Sequence, residues 1–549
     1  MWQCEIGLSG GGCLGLPDAL VLTTMKSWGQ ALEANGTISH PAIPSVRTFL
    51  PSSRSDAVWS TQAWYKLVVD SHRFGLSQRL GFVAGLATLV LGLNFFGSAN
   101  LTSTERLLAS VIIVGCSVPS WLWLTGRDRA LPFMPFLGMV FTVYYAAPLF
   151  LLRDYATVWS RSPLPHDYVA YSLEVTLTGL LCIYAGYYSP FAVLLSTLFP
   201  RCQMVWSRIG NIKLTGLIFG IAGLLLFIAE RGLSLPLSFA QLLTFASDLC
   251  LLGVCLLFAL QLTGGIGFTN GILLWGVLVP VRLWLGLGTG LTSEGLIIAL
   301  ILIFTYASLR HRVPWRIIII GGLSFCIIRP AEQSFRALTW RGGTMEKATA
   351  TDKSALLVTM IHDTVGSSIS DDDATADDMI QFSMRRLGTD TLTLADVLHD
   401  TPRIVPYWNG ATYYPLLFKL LPRVLFPSKP EEVTGQAFGH RYGLLNQSNF
   451  DTSYNLPQLI EGYVNFGLPG VILSMLLFGI LYRLVQLTFV HENMGFGALV
   501  SSIYLSVKLL QIESATSLVL GDVIWTIVFL GIVSSVIRLT SSAVANSSA

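Results

Sequence analysis

Charge is what this sequence has least of. Lys, Arg, Asp and Glu make up 12% of its 549 residues, against 52% hydrophobic, which leaves too little polar surface to cover a water-soluble globule of that size. A soluble enzyme is therefore excluded, and the apolar residues must face lipid. Histidine is missing from every long apolar run, whereas a membrane acyltransferase is expected to hold one inside its membrane domain. Cysteine is missing from residues 329–455: Cys4, Cys13, Cys116, Cys182, Cys202, Cys250, Cys255 and Cys326 all precede them, so no disulfide orders that stretch even in an oxidising compartment. Halves that match one another are also missing, although transporters are commonly built from repeats. The acidic run Asp371, Asp372, Asp373, Asp377 and Asp378 lacks the spacing and glycine of a calcium loop and reads as a solvated loop. No metal, no other cofactor and no nucleic-acid partner is expected.

What is present is a series of apolar runs, each near the roughly twenty residues that a helix needs to cross about 30 Å of hydrocarbon. They fall at 81–98, 105–126, 131–152, 168–190, 213–230, 241–263, 269–288, 293–309, 315–328, 463–485, 495–512 and 518–538. Helices follow, because backbone groups in lipid must be satisfied within the segment. With the N-terminus inside, Arg73, Arg79, Arg127, Arg129, Arg201, Arg208, Lys213, Arg310, Arg312, Arg316, Arg483 and Arg538 fall in cytoplasmic turns, and only Arg106, Arg153, Arg161 and Arg231 in the opposite short turns. The positive-inside rule then puts both termini in the cytoplasm. The expectation is an all-α polytopic inner-membrane protein of about twelve spans: a loosely ordered extension over 1–78, nine spans within 79–328, one large periplasmic loop over 329–455, and three spans and a short tail within 456–549. A loop of that length usually carries function. Within it, 355–361 and 413–424 read as short amphipathic helices, the second bringing Leu416, Leu417, Phe418, Leu420 and Leu421 to the bilayer surface.

Ionisable residues inside the spans are the informative ones, because a charge at bilayer depth costs at least about 2.5 kcal/mol and is normally turned toward a cavity. Glu174, Asp248, Arg282 and Lys508 all fall in the outer halves of their helices, and Glu461 and Glu513 lie toward the same side. A polar cavity opening outward accounts for the set. An Asp248–Arg282 pair that merely holds two helices together is the simpler alternative for those two. The loop adds Arg329, Arg336, Arg341, Arg423 and Arg441 beside this cavity, with Lys429, and arginine forks hold phosphate oxygens bidentately. Arg329 follows the run 317–328 and precedes Pro330, so a helix is expected to end there with its guanidinium at the outer interface. His362 and Asp363 offer a base and its orienter, but adjacent helical residues point in different directions.

Three segments carry a family likeness. Leu421-Pro-Arg-Val-Leu-Phe-Pro-Ser-Lys-Pro430, then Phe438-Gly-His-Arg-Tyr-Gly443, then Glu461-Gly-Tyr-Val-Asn-Phe-Gly-Leu-Pro-Gly470 followed by a span, resemble the Wzy-type O-antigen and exopolysaccharide repeat-unit polymerases. The resemblance covers about fifty residues in detail, with topology extending it loosely over the rest. It implies a membrane-embedded glycosyltransferase that moves a glycan from undecaprenyl pyrophosphate onto a sugar hydroxyl of a new lipid-linked repeat unit, with a flippase and a chain-length regulator as partners. Such chemistry needs a cation at the leaving pyrophosphate and a group to take the hydroxyl proton. Arg329, Arg336, Arg341 and Arg441 are the candidates for the first, and Glu461, ahead of His440, for the second; Arg282, Asp248 and Lys429 are further substrate-binding candidates. Related ligases resemble one another in a histidine just before the re-entry into the membrane, where this chain has Asp451-Thr-Ser-Tyr-Asn455, and that departure leaves the base open. A flippase for the same lipid-linked units is the principal alternative, and a membrane acyltransferase the next.

Overall fold

The computed structural model describes residues 74–547 except 99, 129–130, 154–163, 203–208, 233–236, 291, 341–342, 371–373, 420, 422–425, 427–431, 451 and 492–493. The extension up to residue 73, Arg129, Arg161, Arg208, Arg341, Arg423, Lys429 and Asp371 to Asp373 lie outside the described residues. Among the described residues every regular element is helical. In chain order these are α1 Leu76–Phe96, α2 Ser103–Leu124, α3 Phe133–Tyr145, α4 Ala147–Leu151, α5 His166–Tyr187, α6 Pro190–Ser196 and α7 Ile209–Gly232. Then come α8 Leu237–Ser247, α9 Leu249–Leu262, α10 Phe268–Leu273, α11 Val279–Leu287, α12 Thr292–Arg310, α13 Trp315–Thr339, α14 Ala350–Ser370 and α15 Ala374–Asp400. The chain closes with α16 Tyr414–Lys419, α17 Thr434–Arg441, α18 Gln458–Phe489, α19 Phe496–Leu509 and α20 Thr516–Ser547.

Ten stretches among the described residues are helices long and apolar enough to cross a membrane, and they coincide with ten of the expected runs. The chain is a multi-pass α-helical membrane protein. Its helices differ in what they bury. The α1 helix buries none of its residues and leaves Leu80, Val83, Leu89 and Phe95 exposed, whereas every residue of α9 from Cys250 to Leu260 is buried. One therefore lies at the lipid-facing rim and the other in the middle of the bundle. Local signals set the ends: Thr102 accepts from the Glu105 N–H at 3.3 Å while the Glu105 carboxylate accepts from the Thr102 N–H at 2.7 Å, a capping box that starts α2.

Three expectations about the chain path need correction. Helix α13 does not end at Arg329 but continues through Pro330 to Thr339. Proline leaves the carbonyl four residues back without its donor, and the Ser383 hydroxyl of α15 approaches that Cys326 oxygen at 3.5 Å, the kind of substitute donor that lets a helix pass a proline in a membrane. The loop is also more helical than expected. The stretch 355–361 lies inside the 21-residue α14, the stretch expected as a helix over 413–424 holds α16 over Tyr414–Lys419 among its described residues, and α15, 27 residues without a proline, occupies a part of the loop for which no helix was expected. The second half of α15 buries Leu392, Leu394, Ala395, Val397 and Leu398, and its Thr391 hydroxyl donates to the Tyr145 carbonyl at the end of α3, 3.1 Å away.

The third correction concerns α18. Phe466 (φ −142°, ψ 16°) and Gly467 (φ 64°, ψ −151°) break it into an arm over 458–465 and a long helix from 468. The Gly467 conformation is one that essentially only glycine adopts. A side chain on Gly470 would sit 2.1 Å from the Gly462 carbonyl, yet residues eight apart in a continuous helix are separated by about 12 Å. The chain has turned back on itself. The arm is buried throughout, from Gln458 to Asn465. The long second half packs against α5, where a Cβ on Gly186 would meet the Leu476 carbonyl at 2.2 Å and one on Gly479 would meet the Ile183 carbonyl at 2.2 Å, while Gly179 faces Val471 and Met475. Residue numbers rise together along both helices, so the two run parallel.

Candidate functional site

Two of the three segments that carry the family likeness converge at the α18 hairpin; the third, over 421–430, lies mostly outside the described residues. Residues 401–413 lie along the hairpin tip. The Trp408 N–H donates to the Val464 carbonyl at 2.9 Å and the Gly410 N–H to Asn465 Oδ1 at 2.8 Å. Asn465 Nδ2 donates to Thr412 Oγ1 at 2.7 Å and to the Glu461 carbonyl at 2.8 Å. Asn465, wholly buried, thus clamps the hairpin to that strap, which explains why an amide sits in the aromatic-Asn-Phe-Gly pattern: only a side chain with both donors and an acceptor can make these bonds. From the other side α17 leans on the same strap. Tyr442 OH pairs with Thr401 Oγ1 at 2.6 Å, and Arg441 donates to the Pro406 carbonyl at 2.7 Å with its guanidinium 4.8 Å from the Trp408 ring centroid. Burial pushes the Tyr442 phenol up to about 12, so it remains a hydroxyl.

Around this tip lie aromatic and cationic groups. Phe466 is 49% exposed, and the half-buried Tyr407 has its ring centroid 6.4 Å from that of the buried Tyr463. Arg403 donates to Tyr168 OH at 2.7 Å and to the His399 carbonyl at 3.1 Å. Neither Arg403 nor Arg441 has an ion pair to a carboxylate among the described residues. On α5, Tyr168, Tyr171 and Glu174 follow one another at intervals of three and so share a face. Glu174, expected to turn toward an outward-opening cavity, is exposed about 12 Å along α5 from His166.

Glu461 does not stand at a cavity mouth. It is 0% exposed, and one carboxylate oxygen accepts from the Thr516 N–H at 2.6 Å, capping α20. The physical reason is the hairpin, which folds the arm carrying Glu461 into the bundle. His440 sits on α17 with Nε2 2.8 Å from the Asn449 carbonyl and its ring edge-on to Phe450. His362 and Asp363 are 3.5 Å apart but 87% and 73% exposed, a surface pair.

Arg329 and Arg336 are brought together, but on a carboxylate: both pair with Glu332, which is 1% exposed. Nearby, Arg386 on α15 forms a two-pronged pair with Glu513, at 2.7 and 3.0 Å. Burial and the Glu513 charge, opposed by Arg386, push the Asp390 carboxyl well above its ordinary range. Burial lowers Arg336, with the Glu332 carboxylate opposing and the Arg329 and Arg386 charges adding to it. Glu332, Arg386, Asp390 and Arg403 were missed in the sequence. The proline-free run over 374–400 was the available signal that 386 and 390 lie on a packed helix.

Asp248 and Arg282 do meet, at 4.0 Å, within a larger network. Arg282 reaches Glu294 at 3.4 Å, Arg231 reaches the same carboxylate at 3.3 Å, and Lys508 joins Asp248 at 3.2 Å to Asp522 at 3.1 Å. Tyr504 OH also donates to Asp248. Arg231, Arg282 and Lys508 thus pair with Asp248, Glu294 and Asp522 beside a space of about 120 Å3 that Glu230, which accepts from the Thr244 and Ser247 hydroxyls, also lines. Such a set holds helices α7, α9, α11, α12, α19 and α20 together, and removing one member would leave a buried charge uncompensated.

Among the described residues no group of three or more His, Cys, Asp and Glu is arranged to hold a metal ion. No curated protein and no solved structure matches the chain. Residues 207–542, which contain all the polar regions above except the α5 face, match one family along their length, and the chain belongs to that family, described as Domain of unknown function (DUF8712).

Proposed function

We propose that the protein polymerises undecaprenyl-pyrophosphate-linked oligosaccharide repeat units into O-antigen or exopolysaccharide at the periplasmic face of the bacterial inner membrane. The observation that carries this reading is the convergence of 438–443 and 461–470, through the strap 401–413, on one hairpin tip rimmed by Arg403, Arg441, Trp408, Tyr407 and Phe466. Aromatic faces suit sugar rings, and fixed guanidinium groups suit a leaving group that gains negative charge. We assign the pyrophosphate to Arg403 and Arg441 in preference to Arg329 and Arg336, because Glu332 already offsets the latter pair. With Glu461 closed in as a cap, the exposed Glu174 is the better acceptor for the proton of the attacking hydroxyl.

We propose twelve spans with both termini cytoplasmic, and the packing of α5 against α18 bears on the number of crossings between them. Between α5 and α18 lie four of the long apolar helices, and an even number of crossings would make α5 and the second half of α18 antiparallel. They run parallel, which supports a fifth crossing by α13. A flippase is the second reading, favoured by the buried charge network around Asp248 and Arg282.

The test is the lipid-linked glycan made by a strain deleted for this protein and complemented with wild type, Arg441→Ala or Arg441→Lys. Polymer ladders are expected from wild type, single units exposed on the outer face from the deletion, a fall of two to three orders of magnitude with Ala, and partial recovery with Lys. Units trapped on the inner face of the deletion strain would overturn polymerisation in favour of a flippase.

A further inference from the structure

Away from the hairpin tip, the ends of four helices enclose a cavity of about 300 Å3 that no part of the polymerisation chemistry above uses. Its wall includes Arg231 from the last turn of α7, Thr289 after α11, Thr339 and Trp340 at the end of α13, and Ala350 and Lys353 from the first turn of α14. Among the described residues two cations line it, Arg231 and Lys353, and no carboxylate does. Arg231 gives one nitrogen to Glu294 at 3.3 Å, so only part of its guanidinium is left for a ligand. Lys353 donates to the Glu346 carbonyl at 2.6 Å, which engages one of its three ammonium protons.

Trp340 is fixed at this wall. Its Nε1 donates to the Thr289 carbonyl at 3.1 Å, and the Arg336 guanidinium lies 4.8 Å from its ring centroid. Thr339 sends its own hydroxyl proton to the Phe335 carbonyl at 2.8 Å, so its oxygen can accept from a ligand hydroxyl. An indole ring, hydroxyl oxygens and two cations in one enclosure match a sugar that carries phosphate. The volume stands at the lower end of the about 300–1,000 Å3 range for ligand pockets, enough for one sugar phosphate and too small for an oligosaccharide.

We propose that this cavity binds a phosphate monoester or diester head, with Arg231 and Lys353 on the phosphate and Trp340 and Thr339 on the group attached to it. The phosphate belongs either to a soluble sugar phosphate or to the head of a prenyl lipid. The second source rests on the polymerase reading, in which two lipid-linked molecules must be held at once, and Arg336 links this cavity to the Arg329–Glu332–Arg336 group.

The experiment measures binding directly, by titration calorimetry on the purified full chain in detergent, with glucose 1-phosphate and farnesyl pyrophosphate as probes. Wild type is compared with Lys353→Ala and Trp340→Leu, each checked for an unchanged melting temperature, with Lys353→Gln held as a substitute for a variant that does not fold. At least a tenfold weakening by Lys353→Ala and a smaller loss with Trp340→Leu are expected. Binding of glucose 1-phosphate alone assigns the site to soluble sugar phosphates, and binding of farnesyl pyrophosphate alone to lipid heads. Binding of neither probe to wild type, or equal binding by all variants, overturns the proposal. Wild type that binds a probe yet makes no polymer would sink the polymerase reading and leave this site standing.

Discussion

Arg386 and Glu513 connect the loop helix α15 to the turn between α19 and α20 by two parallel bonds of 2.7 and 3.0 Å. Replacing Arg386 with Met removes both and leaves Glu513, 19% exposed, with its charge uncompensated. Breaking a buried pair costs about 3–5 kcal/mol. Here Arg386 is 29% exposed, so water reaches the abandoned carboxylate, and about 2–3 kcal/mol is the expected loss. The pair itself is worth less than that, since Arg386→Met with Glu513→Gln removes both charges; this double variant should recover most of the loss. A coupling of about 2 kcal/mol should therefore appear in a double-mutant cycle of denaturation midpoints in detergent. Additivity of the two single effects within about 0.5 kcal/mol would refute the claim that the pair holds α15 in place.

The raised Asp390 carboxyl gives a pH signature. Because its folded pKa lies above the unfolded value of about 3.9, the folded state holds the extra proton between the two, so the contribution of Asp390 to stability is full below about pH 4 and is lost as pH rises through the folded value. Asp390→Asn should flatten that slope, and a wild-type-minus-variant difference independent of pH would contradict it. Gly467→Ala forces a side chain into φ 64°, ψ −151° and within 2.9 Å of the Tyr407 hydroxyl; a loss of about 1–3 kcal/mol is expected, and a wild-type melting temperature would argue against the hairpin. In a cysteine-free background, cysteine placed at His362 should react with a membrane-impermeant maleimide in intact spheroplasts and cysteine at Arg312 should not. The reverse pattern would invert the proposed topology.

The sequence alone determined that this is a multi-pass helical membrane protein, because twenty-residue apolar runs have essentially one way to satisfy their backbone in lipid. It also marked Asp248, Arg282 and Lys508 as residues of one polar region, since charges at bilayer depth must find company. What it left open depended on contacts between distant segments. Pro330 reads locally as a stop, yet the helix continues, with the Ser383 hydroxyl, more than fifty residues on in the chain, approaching the carbonyl that the proline leaves without its donor. Glu461 reads as an accessible acid ahead of a span, and only the turn at Phe466 and Gly467 closes it beneath Thr516. Arg329 reads as a cation awaiting an anion, although its partner Glu332 stood three residues away; the supposed helix end hid the shared face. Periodicity and hydropathy are properties of a segment and can be read from it. Whether a charged side chain is open to a ligand depends on which segments fold over it, and tertiary structure alone decides that.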